Sequence, residues 1–538
     1  MQNAKRKMQN YFSKIRVYPR LSAADKSFRL GVAAFLIAVF AFPVFAQQKR
    51  GAAKPAPKQP MNSSSNAIFQ PSKSPLISFR IQFLTGSIDD PEGKEGLASL
   101  TAAMLAQGGS KNLTYERIVE QFYPMATGFS WQVDKEMTTF IGQTHADNLP
   151  KYYNLIRQML LEPGFREEDF TRLKQDAINF LKVNLRESND EELGKERLYN
   201  IIYAGHAYEH HPRGTVSSLE KLTVQDVRDF YAENYTQANL VLGLSGGFDT
   251  KFSRQLAADF KKLPKGARMM RKIGEPKLEN GMKIDIVQRE TRATAISLGF
   301  PIPVNRASGK DYVALAVVAS YFGQHRSSNS YLYRRIRELR GLNYGDYAYI
   351  EYFPRGMFQF EPDPNLARKF QIFQIWIRPV EPQNAHFALR AALYEYHKLV
   401  ENGMSPEAFE GTREFLSKYV NILTQTKDAE LGYALDSRYY GIGDYNSFMK
   451  KELAKLTLQD VNNAIRKYFG DNDSMRVVMV TKDAAALRDA ILTNKPSPIT
   501  YEAPKPQEIL DEDKVISAYP IKLRPQDVTI TPVANVFQ

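Results

Sequence analysis

His206 and His210 stand four apart, with Glu209 between them, in the run His206-Ala-Tyr-Glu209-His210. On a helix, residues four apart face the same way. Two imidazoles at that spacing can share one metal ion, and the intervening carboxylate can then act as general base on a bound water. Glu290, 80 residues beyond His210, would be a third ligand. The flanks argue against this. Gly205 ends a helix just before the run, and His211-Pro212-Arg213-Gly214 reads as a turn. No apolar helical face continues through the segment, so it reads as a surface loop, with adventitious metal binding as the rival. Asp190-Glu191-Glu192 reads as a solvated helix face.

Other chemistries find less footing. The chain has 538 residues and no cysteine, which removes thiolate metal sites, cysteine nucleophiles and disulfides. No phosphate-binding P-loop occurs, and nothing places a serine beside a histidine. Hydrophobic residues make up 43% and aromatics 12%, which excludes a disordered or collagenous chain.

The elements that must hold any site begin behind a basic amino end. Residues 1–46 contain eight basic side chains (Lys5, Arg6, Lys7, Lys14, Arg16, Arg20, Lys26, Arg29) against Asp25 alone, more than half of the formal net charge of +13. The charge therefore marks the amino end and not a nucleic-acid surface. The apolar run 30–46 follows, with Val44 and Ala46 at the −3 and −1 positions of a signal-peptidase site. An exported, periplasmic protein cleaved after Ala46 is expected. The rival is an uncleaved inner-membrane anchor, although the run is at the lower limit for spanning and Pro43 interrupts it.

Residues 47–66 form a polar, Pro/Ser-rich linker. Strands are expected over 74–84, 137–144 and 239–246. Helices are expected over 94–106, 148–161 and 224–235, with one long helix or two over 167–204. Lys221-Leu-Thr-Val-Gln-Asp-Val227 recurs as Lys455-Leu-Thr-Leu-Gln-Asp-Val461, each copy followed by a helix ending in aromatics and then an apolar strand. Two homologous halves follow from this. The expected fold class is α+β: two half-domains (67–265 and 281–485, joined by a linker at 266–280), each a mainly antiparallel sheet with helices packed on one face. Prolines from Pro496 to Pro532 make 486–538 an extended tail draped over the domains, with a disordered tail as the rival.

This element order, with Ser74-Pro-Leu-Ile-Ser-Phe-Arg80, Gly86-Ser87, Gly93-Lys-Glu-Gly-Leu-Ala98 and Arg340-Gly-Leu-Asn-Tyr344, resembles the pitrilysin/insulinase family of zinc peptidases, the inverzincins, over residues 68–485. The resemblance implies one half of that family's four-domain clamshell. In the family, Gly-Leu-Ala is followed by His-x-x-Glu-His on a helix. Here the stretch reads Ser99-Leu-Thr-Ala102-Ala103. The family's third ligand, a glutamate, aligns with Lys182, and its nearby second glutamate with Gln175. An ammonium group cannot ligate and repels a dication. The expectation is the fold without zinc, and no metal or other cofactor in this chain.

The resemblance also implies roles for other residues. Arg337 and Tyr344 look like the family's Arg/Tyr pair, which reaches across the cleft to the substrate carbonyl near the scissile bond. A guanidinium and a phenol both donate to an oxygen that gains negative charge. The rival reading is fold maintenance, with Gly341 in a turn and Tyr344 packed. The family binds peptides as an added strand on a sheet edge. The matching segment is 128–133, with Phe129, Ser130 and Gln132 as the candidate edge, its small-residue and Asn pattern altered to Phe129, Trp131 and Gln132. Trp131 reads as core or interface.

The function implied is a zinc-free, catalytically incomplete subunit of an exported heterodimeric metallopeptidase. A pitrilysin-family partner would carry the zinc, and short unfolded peptides would be the substrate. Alone, the chain should not hydrolyse peptides. The alternative is a scaffold or peptide-binding pseudoenzyme without a proteolytic partner, since the family includes respiratory-complex core subunits that have lost proteolysis. A third reading is a zinc enzyme using His206 and His210. No nucleic acid is implied, and no membrane beyond the signal or anchor segment.

Overall fold

Alternation in β2 (Leu76–Phe83) sends Ile77, Phe79, Ile81 and Phe83 to one face and Ser78, Arg80 and Gln82 to the other. In the computed structural model, which describes residues 66–267, 271–356, 359, 361–470 and 474–538, β2 is the central strand of five. Its sheet runs β1 (Ala67–Pro71), β5 (Leu240–Gly246), β2, β4 (Thr138–His145), β3 (Gly128–Val133). Only the β1–β5 pair is parallel.

The second sheet repeats this order and these senses. It runs β6 (Lys283–Gln288), β10 (Arg476–Thr481), β7 (Thr294–Ile302), β9 (Gln371–Val380), β8 (Asp346–Tyr349), with β11 (Val528–Pro532) added in parallel outside β6. The heptapeptide repeat has a physical cause. Thr223 and Thr457 each cap a helix, Val224–Asn234 and Leu458–Phe469, in a reciprocal box with Asp226 and Asp460. Each aspartate also takes a lysine from the amino end of the element packed beside it: Lys94, in the loop before the helix Leu97–Gln107, to Asp226 at 2.5 Å, and Lys310, the first residue of the helix Lys310–Gly323, to Asp460 at 2.6 Å.

Each half lends a helix to the other. The apolar face of β2 packs within its own half, Phe79 against Tyr152, Tyr153 and Phe252. The opposite face is covered by the second half's helix Lys427–Tyr440. There Arg80 donates to Asp428 Oδ2 at 2.6 Å and to Asn365 Oδ1 at 2.8 Å, so the polar side of β2 is buried but satisfied. The first half's helix Asp190–Ile202 lies in turn on β7 and β10.

That exchange corrects one expectation. Asp190, Glu191 and Glu192 are not a solvated face. Asp190 pairs with Arg289, Glu191 with Arg378 at 3.1 Å, and Glu192 with Lys195, all partly or fully buried. The helix carries its acidic first turn onto the second half, where arginines meet it. The tail also differs from an extended run. It holds the helix Gln507–Ser517, confined between Pro506 and Pro520, and then β11. Beyond β11, Val536 and Phe537 are buried in the first half, and the Phe537 and Gln538 carbonyls accept from the Val216 and Ser217 amides at 3.0 and 2.9 Å.

The expected signal segment and nearly all of the linker lie outside the described residues. Among the described residues, no helix is long and apolar enough to cross a membrane.

Candidate functional site

The helix Leu97–Gln107 is rich in Ala and Leu and starts where Gly96 adopts φ +96°. A side chain at Gly96 would strike the Arg213 carbonyl, and one at Gly214 the Glu95 carbonyl, so the two glycines let the loop ending at Gly214 seat on this helix start. The buried Asp90 carboxylate caps the helix, accepting from Gly96 N at 2.7 Å and Ala98 N at 2.6 Å. Burial pushes its pKa up, opposed by the bond from His210.

On this helix Ala102 and Ala103 are buried in the core and Ser99 is half-buried. Lys182 is exposed, on the turn Phe180–Leu185, 4.0 Å from Glu220. Gln175 bonds to Asn179 at 3.0 Å. A hydroxyl, two methyl groups and an ammonium do not make a zinc site. Among the described residues, no group of three His, Cys, Asp or Glu is arranged to hold a metal ion.

The segment around His206 and His210 is a run of turns. His206 Nε2 meets the Gly274 carbonyl at 2.9 Å, while His210 Nε2 meets Asp90 Oδ2 at 3.0 Å. The two rings serve different partners. Glu209 accepts from the Gly205 amide at 2.7 Å, and Glu290 is exposed. One spacing escaped sequence reasoning: Gly243-Leu-Ser245-Gly-Gly247 has the Gly-x-Ser-x-Gly pattern. Ser245 is fully buried in β5 and donates to the Lys427 carbonyl at 3.0 Å, so it is a sheet residue and not an exposed nucleophile.

The helix Leu97–Gln107 packs beside β3, an edge strand of the first sheet. On β3, Phe129 is buried and stacks on Phe140, Ser130 is exposed, and Trp131 is half-buried against the core. Gln132 Nε2 donates to the Pro364 and Asn365 carbonyls, both at 3.0 Å. One end of this edge is thus tied to the chain's own second half.

Arg337 lies on the turn Tyr333–Glu338, its guanidinium 4.6 Å from the Tyr333 ring centroid. Gly341, at φ +71°, reverses the chain, and its amide bonds the Arg337 carbonyl at 2.7 Å. Asn343 fixes the next turn, bridging Asp346 Oδ1 at 2.7 Å and the Arg378 carbonyl at 3.0 Å. Tyr344 projects from this turn with 77% of its surface exposed, just ahead of β8, an edge of the second sheet.

Sequence reasoning missed a buried ionic cluster between the halves. Asp134, directly after β3, takes both prongs of Arg368. Lys135 beside it donates to the His210 carbonyl, and burial together with Arg368 brings its pKa down to about 7. Glu196 accepts from Tyr352 at 3.0 Å and faces His211 at 3.7 Å; burial and the Glu192 charge lift it to about 7. Burial and Lys135 hold His211 well below its ordinary value. Five separated stretches of the chain supply these groups, at 134–135, 192–196, 210–211, 352 and 368, so no local spacing announced them.

Two family models match the chain. "Insulinase (Peptidase family M16)" matches residues 69–216, and "Peptidase M16 inactive domain" matches 221–416. An uncharacterized zinc protease of Streptomyces coelicolor is 23% identical over 367 residues, 66% of this chain and 75% of that protein. A non-peptidase homolog of Helicobacter pylori is 22% identical over 428 residues, 74% of this chain and 87% of that one. A peptidase M16 inactive domain from Pseudomonas fluorescens superposes with TM-score 0.66 at 21% identity, covering 77% of this chain and 95% of that one.

Proposed function

The chain belongs to the insulinase (M16) family of peptidases, and we propose that it is the zinc-free subunit of an exported two-chain peptidase. It supplies Arg337 and Tyr344 to a partner that carries an intact His-x-x-Glu-His. One observation carries the reading. Tyr344 stands 77% exposed on a braced turn seven residues after Arg337, while the helix that should bear zinc ligands bears Ser99, Ala102 and Ala103. A tyrosine kept for packing would be buried. An exposed phenol, in the turn that follows the Arg337 segment, is free to donate to an oxygen outside the chain.

In this reading the substrate is a short unfolded peptide enclosed between the subunits. Arg337 and Tyr344 orient its carbonyl and stabilise the charge that develops there. The chemistry of bond cleavage belongs to the partner's zinc, and no step runs through a metal in this chain. Peptide addition at β3 is narrowed to the stretch around Ser130, because Gln132 is engaged with the 364–365 segment.

The likeness to a non-peptidase homolog favours a second reading, a scaffold without a proteolytic partner. Purification of the native chain from its envelope fraction separates the two. A stoichiometric partner bearing His-x-x-Glu-His, with one zinc per pair, supports the split peptidase. A chain recovered alone, zinc-free and inert on peptides, contradicts it.

A further inference from the structure

Arg335, on the same turn, and Arg340, two residues past its end, flank Arg337, and both are held by the tail. Arg335 Nε donates to Glu395 Oε1 at 2.6 Å, and its Nη2 donates to Glu512. Arg340 Nε donates to Asp513 Oδ1 at 2.8 Å, Nη2 to Glu512 Oε2 at 2.7 Å, and Nη1 to the Arg335 carbonyl at 2.7 Å. The Arg340 side chain is 1% exposed. On the far side of Gly341, Leu342 packs with Phe387, Ala391 and the tail's Ile516. The turn is therefore fixed from behind on both sides of its reversal.

The backing is itself rigid. Arg390 donates to Lys495 O at 2.8 Å and Ser497 Oγ at 3.0 Å, and also to the Ser517 carbonyl, gathering both ends of the segment that holds the helix Gln507–Ser517. Tyr501 donates to Asp513 Oδ2 at 2.6 Å.

We propose that Glu512 and Asp513 are positioning residues for Arg337 and Tyr344, a proposal that rests on the reading of that pair given above. Arg334, Arg335, Arg337 and Arg340 crowd four like charges into seven residues on and just after the turn. The two tail carboxylates, with Glu395, neutralise Arg335 and Arg340 and turn them inward. Among the described residues Arg337 makes no salt bridge; its guanidinium lies against the Tyr333 ring, and its charge is felt by the buried Asp346. A donor pair aimed at a substrate oxygen needs this kind of outer support, since a small misplacement costs rate steeply.

The test uses the full chain with Glu512→Gln/Asp513→Asn, and with Glu512→Asp as the charge-keeping control. Amide hydrogen exchange of residues 333–345 is read in the chain alone. The double variant should exchange there roughly tenfold faster, as the loss of charge-assisted bonds implies, with β5 and the helix Leu97–Gln107 unchanged. The aspartate control should stay near wild type. Unchanged exchange, or a rise spread evenly over the chain, overturns the positioning role.

In the complex with the co-purifying zinc subunit, turnover of an internally quenched unstructured peptide should fall toward the Arg337→Ala level. Adding Arg337→Ala should then cost little more. If exchange rises locally but Arg337→Ala alone leaves turnover unchanged, the reading of the pair fails, and the tail is only a clamp on a structural turn.

Discussion

Arg368 and Asp134 form a two-pronged ion pair with both side chains 1% exposed, Nε to Oδ2 at 2.6 Å and Nη2 to Oδ1 at 2.5 Å. Asp134 directly follows the first sheet's edge strand, and Arg368 precedes β9 of the second sheet. The pair fixes β3 to the other half, as Gln132 does through the 364–365 carbonyls. Removing one partner of a buried pair leaves an uncompensated charge. Arg368→Ala should therefore cost about 3–5 kcal/mol in unfolding free energy. Denaturant unfolding checks this, and a loss below about 1 kcal/mol, the value of a surface pair, contradicts it.

The repeated capping boxes should weigh alike. Thr223→Ala and Thr457→Ala should each destabilise by about 1 kcal/mol, and the two losses should add, since they sit in separate halves. Thermal unfolding of the single and double variants measures this. A neutral effect at one site would show that its box is not a working equivalent of the other.

These boxes were also the clearest sequence signal. Thr and Asp at fixed spacing, repeated 234 positions apart, make the two-half architecture visible because capping is local chemistry. The helix exchange was not visible. Asp190 and Glu191 read as solvated because their partners Arg289 and Arg378 are 99 and 187 positions away, and Glu192, besides Lys195, accepts from the Arg355 amide 163 positions away. The tail's hold on Arg335 and Arg340 was hidden in the same way, by partners more than 170 positions apart. The loss at Ser99, Ala102 and Ala103 was legible because a ligand set is defined by residue type and spacing.

Glu196 should make stability depend on pH. Its pKa is raised by burial from 4.5 to about 7, so the folded state holds a proton that the unfolded state has released. The stability it contributes is fully present below about 4.5 and is lost as pH rises through about 7. The unfolding free energy of the wild type, minus that of Glu196→Gln, should fall across this window. A flat difference contradicts the assignment.

The loop histidines should not hold metal. His206→Ala/His210→Ala should leave the zinc content of the purified chain unchanged, because the two rings bond Gly274 and Asp90 separately. Elemental analysis before and after dialysis against a chelator checks this. Stoichiometric zinc lost in the double variant would reinstate the loop as a metal site.

The most direct test of the central claim is turnover by the complex of this chain with the zinc-bearing partner proposed for it, comparing wild type with Arg337→Ala and Tyr344→Phe. If the pair stabilises the transition state in trans, each substitution lowers kcat by roughly 10²–10³, with the complex still formed and its zinc retained. Full activity in both variants would contradict the account and leave the chain a scaffold.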